Sequence, residues 1–497
     1  MASTFTPDPG FTQTVVHVTA EYWPYARSGG LAEAVRGIAR SQAGSGVPTL
    51  AVMPLHRKIR RDFPWLEAAF ELEVEVAGRR EVAHFFDAPA ADGHPTVYFV
   101  AHDGYFDRSD LYGEDGGAYE DNPRRFAFFC RAALEALPRL IPRPPVIHAH
   151  DWHTALALIY LRTTLAGRPY FDGTASVMTV HNAGFQGYGP PELLDEVGVD
   201  RRHFHWRFLE WYGQANLLKG ALACADMVTT VSPTHAGELR TELGGFGLHD
   251  TFRALGDRFV GILNGIEADL WDPADDPELV APFGPDDLAG KVPCKASLQA
   301  EAGFPPSPRT PLVGMSARLV KQKGFDILLE SEVVEGEGTQ WIFLGHGDLY
   351  YHRRLEALAR RFPHRVAVRF DFTEEFEHRL LGGADMLLMP SLYEPCGITQ
   401  MRAQRYGALP VARRVGGLAD TVEDGVTGFL FDDYNPDALR QAFMRARALY
   451  LDPKAWSERV RRAMERDFGW PASVGQYHQV YRRAVEWRRL PRLPEAG

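Results

Sequence analysis

Residues 14–40, TVVHVTAEYWPYARSGGLAEAVRGIAR, place an apolar run, a loop with paired glycines and a helical run in direct succession. The run at 14–18 is short and rich in valine, which is typical of a buried strand. Residues 31–40 have the pattern of a helix. A strand that leads through a glycine-containing loop into a helix is the repeating unit of a doubly wound α/β fold.

Similar apolar runs recur along the chain and are separated by helical stretches. Runs of this length between turn residues are typical of strands in parallel sheets. They lie at residues 97–100, 145–148, 176–180, 227–231, 311–315, 341–345, 366–370, 386–389 and 409–412. We therefore expect two doubly wound α/β domains that face a common cleft, with ligands bound beyond the carboxyl ends of the strands.

The predicted division of the chain follows from its turn-rich segments. A Pro- and Asp-rich stretch at 271–285 follows residues 261–265, which places the boundary between domains 1–262 and 263–470. A last helix is predicted from residue 470 to Leu490, because Tyr477 and Tyr481 lie four positions apart on one helical face. Residues 471–497 are therefore assigned to a separate C-terminal segment.

Composition excludes several classes of protein. The 497 residues suffice for two large domains, and the net charge of -11 without a long basic run argues against nucleic acid as the main partner. The four cysteines are far apart, so neither a zinc site nor a disulfide framework is expected. Residues 1–10 do not resemble a signal peptide, and no run of about 18 apolar residues occurs. We expect a cytoplasmic protein.

The loop at residues 21–31 has two interpretations. Gly29 and Gly30 would allow a ligand to approach the backbone, and the helix start would offer N–H groups to an anion. A plain strand-to-helix turn explains the same pattern, since a Gly-Gly pair is a weak signal. The stronger basic signal is Arg318 with Lys323, because two cations after a predicted strand suit a diphosphate leaving group, whereas a single one would indicate a solvated turn.

Residues 148–153, HAHDWH, also follow a predicted strand. Three histidines and a carboxylate raise the possibility of a metal site. We expect His148 and His150 to point to opposite faces of the strand, and no Cys or Glu ligand set lies nearby, so no metal is predicted. A polar contact to a substrate hydroxyl and a buried structural histidine remain as alternatives. The same two alternatives apply to His181 and Asn182.

Residues 389–400, MPSLYEPCGITQ, are the segment densest in polar and small residues. Glu394 and the main-chain N–H groups near Gly397 would suit the hydroxyls of a sugar. Cys396 has no base beside it in sequence, which favours a packing role over that of a nucleophile. Gly416 and Gly417 repeat the paired-glycine pattern at another predicted helix start.

Taken together, these segments resemble the bacterial ADP-glucose-dependent glycogen and starch synthases, a family with the two-domain GT-B fold. No single motif is specific, but the ordered set covers nearly the whole chain. The matching segments are residues 27–31, 105–108, 121–126, 150–152, 181–182, 219–220, 231–233, 264–266, 271–273, 318–319, 322–324, 390–391, 394–397, 400, 406–407 and 416–418.

The resemblance implies a retaining glucosyltransferase that moves glucose from ADP-glucose to the non-reducing end of an α-1,4-glucan, with no metal or cofactor. The N-terminal domain would take the acceptor, the C-terminal domain would take the nucleotide sugar, and the last helix would cross back to the N-terminal domain.

The resemblance also implies roles for particular residues. Arg318 and Lys323 would hold the diphosphate, His150 would contact the transferred glucose, and Glu394 would hold its hydroxyls. The other implied substrate-binding residues are Arg27, Gly29, Gly30, Asp151, His181, Asn182, Asn264, Cys396, Gly397, Thr399, Gly416 and Gly417.

The sequence departs from the family pattern at several positions. The first loop of the family usually reads Lys-Thr-Gly-Gly-Leu with an Asp shortly after, where this chain has Arg27, Ser28 and Glu33. Arginine is planar and bidentate and does not replace lysine neutrally. Glu267 stands where the family usually has Asp, and Arg402 stands where many related enzymes have a second Glu, so the ribose would be bound in another way.

These departures leave two further hypotheses. The first is a related transferase that uses UDP-glucose or a small acceptor. The second is a catalytically silent protein that binds glucan.

Overall fold

The structure is a computed structural model that describes residues 11–91, 93–114, 117–143 and 145–489. The predictions about residues 1–10 and Leu490 fall outside these ranges. The described chain forms two compact units. The first contains residues 11–231, 236–262 and 470–489, and the second contains residues 232–235 and 263–469.

The strands among the described residues of the first unit form one large sheet and two small ones. Their bounds are β1 (Val15–Val18), β2 (Thr49–Pro54), β3 (Glu67–Val76), β4 (Arg79–Ala88), β5 (Thr96–Ala101), β6 (Gly113–Glu114), β7 (Gly117–Ala118), β8 (Val146–His150), β9 (Ala175–Val180), β10 (Tyr188–Gly189), β11 (Glu210–Trp211), β12 (Gln214–Asn216), β13 (Met227–Thr230) and β14 (Phe259–Gly261).

The large sheet of the first unit has the order β14-β13-β9-β8-β1-β2-β5-β4-β3 in the described residues. Its strands are parallel from β14 to β5. Every residue of β1, β8 and β9 is buried, which explains their continuous apolar runs. The chain order reverses between β1 and β8, and ligands of such sheets bind at this reversal.

The edge of this sheet corrects the expectation of purely parallel strands. Strands β3 and β4 form an antiparallel hairpin, and β4 also pairs antiparallel with β5. The hairpin turn is Ala77-Gly78, where both residues have positive φ, as a two-residue hairpin turn requires. The outward side chains of β3 are exposed, so this strand lacks the continuous apolar run of the central strands.

The helices that begin before residue 262 connect these strands. They are α1 (Gly30–Gly44), α2 (Arg57–Asp62), α3 (Asp103–Phe106), α4 (Asn122–Leu140), α5 (Ala155–Arg162), α6 (Leu193–Glu196), α7 (Leu217–Cys224), α8 (Pro233–Leu239) and α9 (His249–Ala254).

The second unit is a single parallel sheet with helices between its strands. The strands are β15 (Leu312–Ser316), β16 (Gln340–Leu344), β17 (Val366–Arg369), β18 (Met386–Met389), β19 (Leu409–Arg413) and β20 (Phe429–Phe431). The helices are α10 (Lys291–Glu301), α11 (Phe325–Glu330), α12 (Leu349–Arg361), α13 (Glu374–Gly383), α14 (Thr399–Arg405), α15 (Gly416–Thr421), α16 (Pro436–Tyr450) and α17 (Pro453–Met464).

The order of the second sheet is β17-β16-β15-β18-β19-β20. Counted from its own first strand, this is 3-2-1-4-5-6, the order of dinucleotide-binding sheets. The reversal lies between β15 and β18, so the loops after these two strands are the expected ligand-binding loops of this unit.

The last helix, α18 (Trp470–Arg489), belongs to the first unit. Tyr477 and Tyr481 are fully buried in it and share a core cluster with residues of β1, β8 and β9. The indole of Trp470 lies against Gly37 of α1, where a Cβ atom would come within 2.0 Å of Nε1. Within the described ranges, no helix has the length and apolarity needed to cross a bilayer.

Candidate active site

The strand reversal of the first unit brings three predicted segments to one edge. Glu21 and the loop of Gly29 follow β1, Asp151 follows β8, and His181 follows β9. These strands are adjacent and parallel, so their carboxyl ends meet.

Glu21 organises the paired-glycine loop, a role that no pattern in the sequence indicated. Its carboxylate accepts hydrogen bonds from the Ser28 amide at 2.6 Å, the Ser28 hydroxyl at 2.7 Å and the Tyr112 hydroxyl at 2.6 Å. Burial raises the pKa of Glu21, while the Tyr112 hydroxyl and the Ser28 and Gly29 groups lower it. The first amides of the loop therefore already face a carboxyl group.

The backbone conformation at Gly29 and Gly30 does not require glycine. Gly29 precedes α1 with a φ of -167°, which any residue adopts, and neither glycine has a positive φ. The turn itself therefore does not require them. A Cβ atom on Gly29 would meet nothing within 4 Å, so the backbone here is open to a ligand.

Arg27 forms an ion pair with a residue six positions along the chain. Its guanidinium donates to the Glu33 carboxylate at 2.9 Å, and both side chains are partly exposed. Two of the three departures from the family loop, Arg27 and Glu33, are thus partners of each other. A phosphate at Arg27 would share the guanidinium with Glu33.

Asp151 and the start of the next loop form a compact turn. Asp151 has a φ of 58°, which is uncommon for a non-glycine residue. Its Oδ1 accepts hydrogen bonds from the amides of His181 at 2.7 Å and Asn182 at 3.3 Å. Burial raises the pKa of Asp151 to about 7, with a smaller contribution from Glu21, while the two amides lower it.

The prediction that His148 and His150 point to opposite faces is wrong. Residues two apart on a strand share a face, and their ring centroids are 4.1 Å apart. Together with His17 they form a buried group whose ligand atoms lie within 4.8 Å of one another. His17 belongs to β1, which pairs parallel with β8, and His17 and His148 lie opposite each other in this pairing.

The buried ring of His150 limits the role predicted for it. Its Nε2 lies 3.0 Å from His17 Nδ1, and its Nδ1 lies 3.0 Å from His181 Nε2. Both nitrogens are therefore occupied within the protein, and the side chain is fully buried. Contact of His150 with a sugar stays a prediction, and it would have to use the backbone or a different ring position.

The reversal of the second sheet brings together two predicted residues from distant parts of the chain. Lys323 lies in a 3-10 turn after β15, and Glu394 lies in the loop after β18. Lys323 Nζ and Glu394 Oε2 are 2.6 Å apart, and the Ser391 hydroxyl donates to the same oxygen at 3.0 Å. Arg318, on the same loop as Lys323, is exposed and forms no ion pair with any described residue.

The loop after β18 is held by its own polar side chains. Gln400 donates to the carbonyls of Cys396 and Gly397 at 3.0 Å each. Gly397 has a φ of 70°, so glycine is favoured there. Burial raises the pKa of the Cys396 thiol to about 12, with a counteracting contact from the Asn264 backbone. Thr399 begins α14 at the end of this loop.

Gly416 and Gly417 are required by packing against this same loop. A Cβ atom on Gly416 would lie 1.9 Å from the Glu394 carbonyl oxygen, and one on Gly417 would lie 2.0 Å from that of Cys396. The amide of Gly417 donates to the Glu394 carbonyl at 3.1 Å. The paired glycines therefore set the position of Glu394.

One further loop was not predicted from the sequence. Gly345 and Gly347 follow β16 with φ values of 145° and 158°. A Cβ atom on Gly345 would lie 1.9 Å from the Ala317 carbonyl oxygen. Two glycines flanking His346 directly after a predicted strand were the available signal. This loop packs against the backbone that carries Arg318.

Arg402, at the position where related enzymes have a second Glu, is a buried structural residue. Its guanidinium lies 3.9 Å from the centre of the Trp271 ring and 3.3 Å from Glu377. Glu377 also accepts from the Ser316 hydroxyl at 2.7 Å. Arg402 is therefore engaged by side chains of its own unit.

Comparison with known proteins places this geometry in a family. Residues 14–254 match the model of the starch synthase catalytic domain, and residues 301–463 match that of glycosyl transferases group 1. A protein named glycogen synthase 2 from Geobacter sulfurreducens is 40% identical over 484 residues, which cover 96% of this chain and 99% of the relative. The chain belongs to the starch and glycogen synthase family.

A second relative and a solved structure agree with this assignment. Glycogen synthase of Anaeromyxobacter dehalogenans is 40% identical and covers 94% of this chain and 98% of its own. The catalytic domain of starch synthase IV from Arabidopsis thaliana, bound to ADP and acarbose, has a TM-score of 0.88 at 33% identity and covers 96% of this chain and all of that one.

Sucrose-phosphate synthase from Thermosynechococcus elongatus, at 18% identity, has a TM-score of 0.62 and covers 95% of this chain and 99% of its own, so it shares the fold alone. The family and its GT-B fold, predicted from the motif series, are thus confirmed.

Proposed function

We propose that this chain is a retaining glucosyltransferase that transfers glucose from ADP-glucose to the non-reducing end of an α-1,4-glucan. The bond between glucose C1 and the β-phosphate oxygen breaks, and C1 bonds to O4 of the terminal acceptor glucose on the same face. The proton of that hydroxyl leaves with ADP. The observation that carries the proposal is the Lys323–Glu394 pair at the strand reversal of the second sheet, in a chain with full-length glycogen synthase relatives.

Arg318 and Lys323 are the proposed diphosphate ligands. Charge develops on the phosphate as the C1–O bond breaks, and fixed cations stabilise it more in the transition state than in the bound donor. The exposure of Arg318 and its lack of an ion pair among the described residues support this role. Lys323 would exchange part of its contact with Glu394 for a phosphate oxygen.

Glu394 is the proposed ligand of the glucose hydroxyls, together with main-chain groups from Cys396 to Thr399. An ionised carboxylate makes strong hydrogen bonds to hydroxyl donors. Gly416 and Gly417 support this position through their contacts with the Glu394 and Cys396 carbonyls. Asn264, whose backbone contacts Cys396, would complete this side.

The first unit is the proposed acceptor side. Gly29 and Gly30 are the exception and are proposed to approach the donor phosphates, which the open space at Gly29 supports, since a Cβ atom there would meet nothing within 4 Å. Asp151 fixes the amides of His181 and Asn182, which supports their proposed contact with sugar hydroxyls.

The proposed mechanism needs no nucleophile from the protein. The raised pKa of Cys396 keeps its thiol protonated at neutral pH, and a protonated thiol is a poor nucleophile. A front-face displacement, in which the departing phosphate takes the acceptor proton, yields retention directly.

Release of ADP from ADP-glucose in the presence of glycogen tests the proposal. Activity above that of the Lys323→Ala variant is expected, and its absence would reject the proposal. A panel with UDP-glucose and with maltose-sized acceptors tests the alternative raised by Arg27. Glycogen binding without nucleotide-dependent turnover would instead indicate a silent glucan-binding protein.

A further inference from the structure

A line of hydrogen bonds runs through the sheet of the first unit and ends at the candidate site. Gln42 Oε1 lies 2.8 Å from His17 Nε2, and His17 Nδ1 lies 3.0 Å from His150 Nε2. His150 Nδ1 lies 3.0 Å from His181 Nε2. Gln42, His17 and His150 are fully buried, whereas His181 is 9% exposed at the carboxyl end of β9.

A second branch starts at the same glutamine. Gln42 Nε2 donates to the Tyr481 hydroxyl at 2.7 Å, and this hydroxyl lies 2.9 Å from His148 Nδ1. His148 Nε2 lies 2.6 Å from the Thr179 hydroxyl, which in turn lies 2.6 Å from that of Thr229. The amide of Gln42 therefore joins the two branches, with its oxygen bonded to His17 and its nitrogen bonded to Tyr481.

All four imidazoles are neutral at physiological pH. Burial lowers the pKa of His17 to about 4 and that of His181 to about 3. Burial and the neighbouring histidines lower the pKa of His148 and His150 well below the usual value. A neutral imidazole has one N–H donor and one lone-pair acceptor, so each ring in the line fixes the next one.

The amide of Gln42 sets the direction of the first branch. Its oxygen can only accept, so His17 Nε2 carries the proton and His17 Nδ1 accepts from His150 Nε2. His150 Nδ1 then accepts from His181 Nε2. In the second branch the amide nitrogen donates to Tyr481, whose hydroxyl donates to His148 Nδ1. His148 therefore also carries its proton on Nε2.

We propose that Gln42 acts through this network as a positioning residue that holds His181 in its Nε2–H tautomer and presents the Nδ1 lone pair to a substrate hydroxyl. Nδ1 of His181 has no hydrogen-bond partner among the residues that the structure describes. The backbone of His181 is fixed by Asp151 at the same edge. The identity of the hydroxyl that donates a hydrogen bond to His181 Nδ1 rests on the proposed function, in which it belongs to glucose or to the glucan.

A metal ion would be the competing occupant of His17, His148 and His150. Each of their six ring nitrogens already has a hydrogen-bond partner within the protein. Bound metal would have to displace several of these bonds in a fully buried site. The network is therefore the better account of this cluster.

Nuclear magnetic resonance of protein with ¹⁵N-labelled histidine tests the proposal without any assay of activity. Two-bond ¹H–¹⁵N spectra distinguish the two tautomers, and single His→Gln variants assign the signals. We expect His17, His148, His150 and His181 all to be neutral with the proton on Nε2. A proton on Nδ1 of His181, or a shift of these signals on addition of Zn²⁺, would overturn the proposal.

Variants of Gln42 test whether this residue sets the donor-to-acceptor direction of the hydrogen bonds. Gln42→Met removes the acceptor of His17, so His181 should shift toward Nδ1–H and kcat/KM should fall about tenfold, the equivalent of one hydrogen bond. Gln42→Glu retains an acceptor for His17 and should restore both the Nε2–H signal of His181 and the activity.

Thr229→Val is the matched control, because it removes a buried hydroxyl from the branch that does not lead to His181. It should leave the His181 tautomer and kcat/KM unchanged. An unchanged His181 signal in Gln42→Met, or a loss of activity in Thr229→Val equal to that in Gln42→Met, would contradict the proposal. If no variant or wild type transfers glucose, the proposed function fails while the spectra still decide the tautomer.

Discussion

Lys323 Nζ and Glu394 Oε2 are 2.6 Å apart and join the loops that follow β15 and β18. The order of the second sheet reverses between these strands. A cation that is paired in this way is held in place before a ligand binds. The pair therefore connects the residue proposed to hold the phosphates with the residue proposed to hold the sugar.

Replacement of the basic residues should affect turnover more than glucan affinity. Arg318→Ala and Lys323→Ala are each expected to lower kcat by roughly 10²–10³-fold, because they remove stabilisation of the leaving phosphate. Steady-state kinetics with ADP-glucose and glycogen measure this. Lys321→Ala, an exposed lysine of the same turn, is the control and should retain activity. An equal loss in all three variants would point to general electrostatics instead.

Neutralising Glu394 should separate the two roles of the pair. In Glu394→Gln the ammonium of Lys323 loses its counter-charge, so ADP should bind more tightly while kcat falls through the weaker contact with the sugar hydroxyls. Isothermal titration with ADP and steady-state kinetics measure the two effects. Glu465→Gln, an exposed residue of the same unit, should change neither. Weaker ADP binding in Glu394→Gln would contradict this account.

Asp151 should make stability depend on pH. Its pKa rises from 3.8 to about 7 in the folded state, mainly through burial. Between these values the folded protein holds a proton that the unfolded chain has released, so this contribution is complete below 3.8 and is lost as the pH rises to about 7. Asp151→Asn keeps an acceptor for the two amides but does not titrate.

The melting temperatures of wild type and Asp151→Asn at about pH 5 and about pH 7.5 measure this difference. The variant should gain stability relative to wild type at the higher pH. The lowered pKa values of the buried histidines also make the folded protein less stable in acid. These histidines are present in both proteins, so their effect cancels in the comparison. Parallel pH profiles would show that Asp151 does not titrate as expected.

The sequence predicted most of the central strands, though not β2 (Thr49–Pro54), because their physical cause is local. Strands such as β8 and β18 are buried on both faces and therefore appear as continuous apolar runs. The hairpin of β3 and β4 has an exposed face and a short turn, so β3 does not appear as a continuous apolar run.

The contacts within the site depend on tertiary structure, and spacing could not predict them. Lys323 and Glu394 are 71 positions apart, and His17 and His150 are 133 apart. The sequence and the family resemblance marked Lys323, Glu394 and His150, but no pattern indicated that these pairs would meet. Glu21 was missed because a single carboxylate in a loop carries no signal of burial.

Docking of the last helix can be tested through two glycines of α1. Gly37→Ala would place a Cβ atom 2.0 Å from Trp470 Nε1, so it should lower the free energy of unfolding by roughly 1–3 kcal/mol. Gly44→Ala, on the same helix with nothing within 4 Å, should raise it by about 0.5–1 kcal/mol through helix propensity. Denaturant unfolding measures both. A shift in the same direction in both variants would argue against the packing of α18 on α1.

The two glycine pairs should respond differently to the same substitution. Gly417→Ala places a Cβ atom 2.0 Å from the Cys396 carbonyl, so the loop of Glu394 must move, and both activity and stability should fall, the latter by about 1–3 kcal/mol. Gly29→Ala meets no protein atom within 4 Å and has an extended φ, so its melting temperature should be unchanged. Its KM for ADP-glucose should nevertheless rise, because the added methyl group occupies the space left open for the ligand. An unchanged KM would exclude close approach of the donor to this loop and return Gly29 to the role of a plain turn residue.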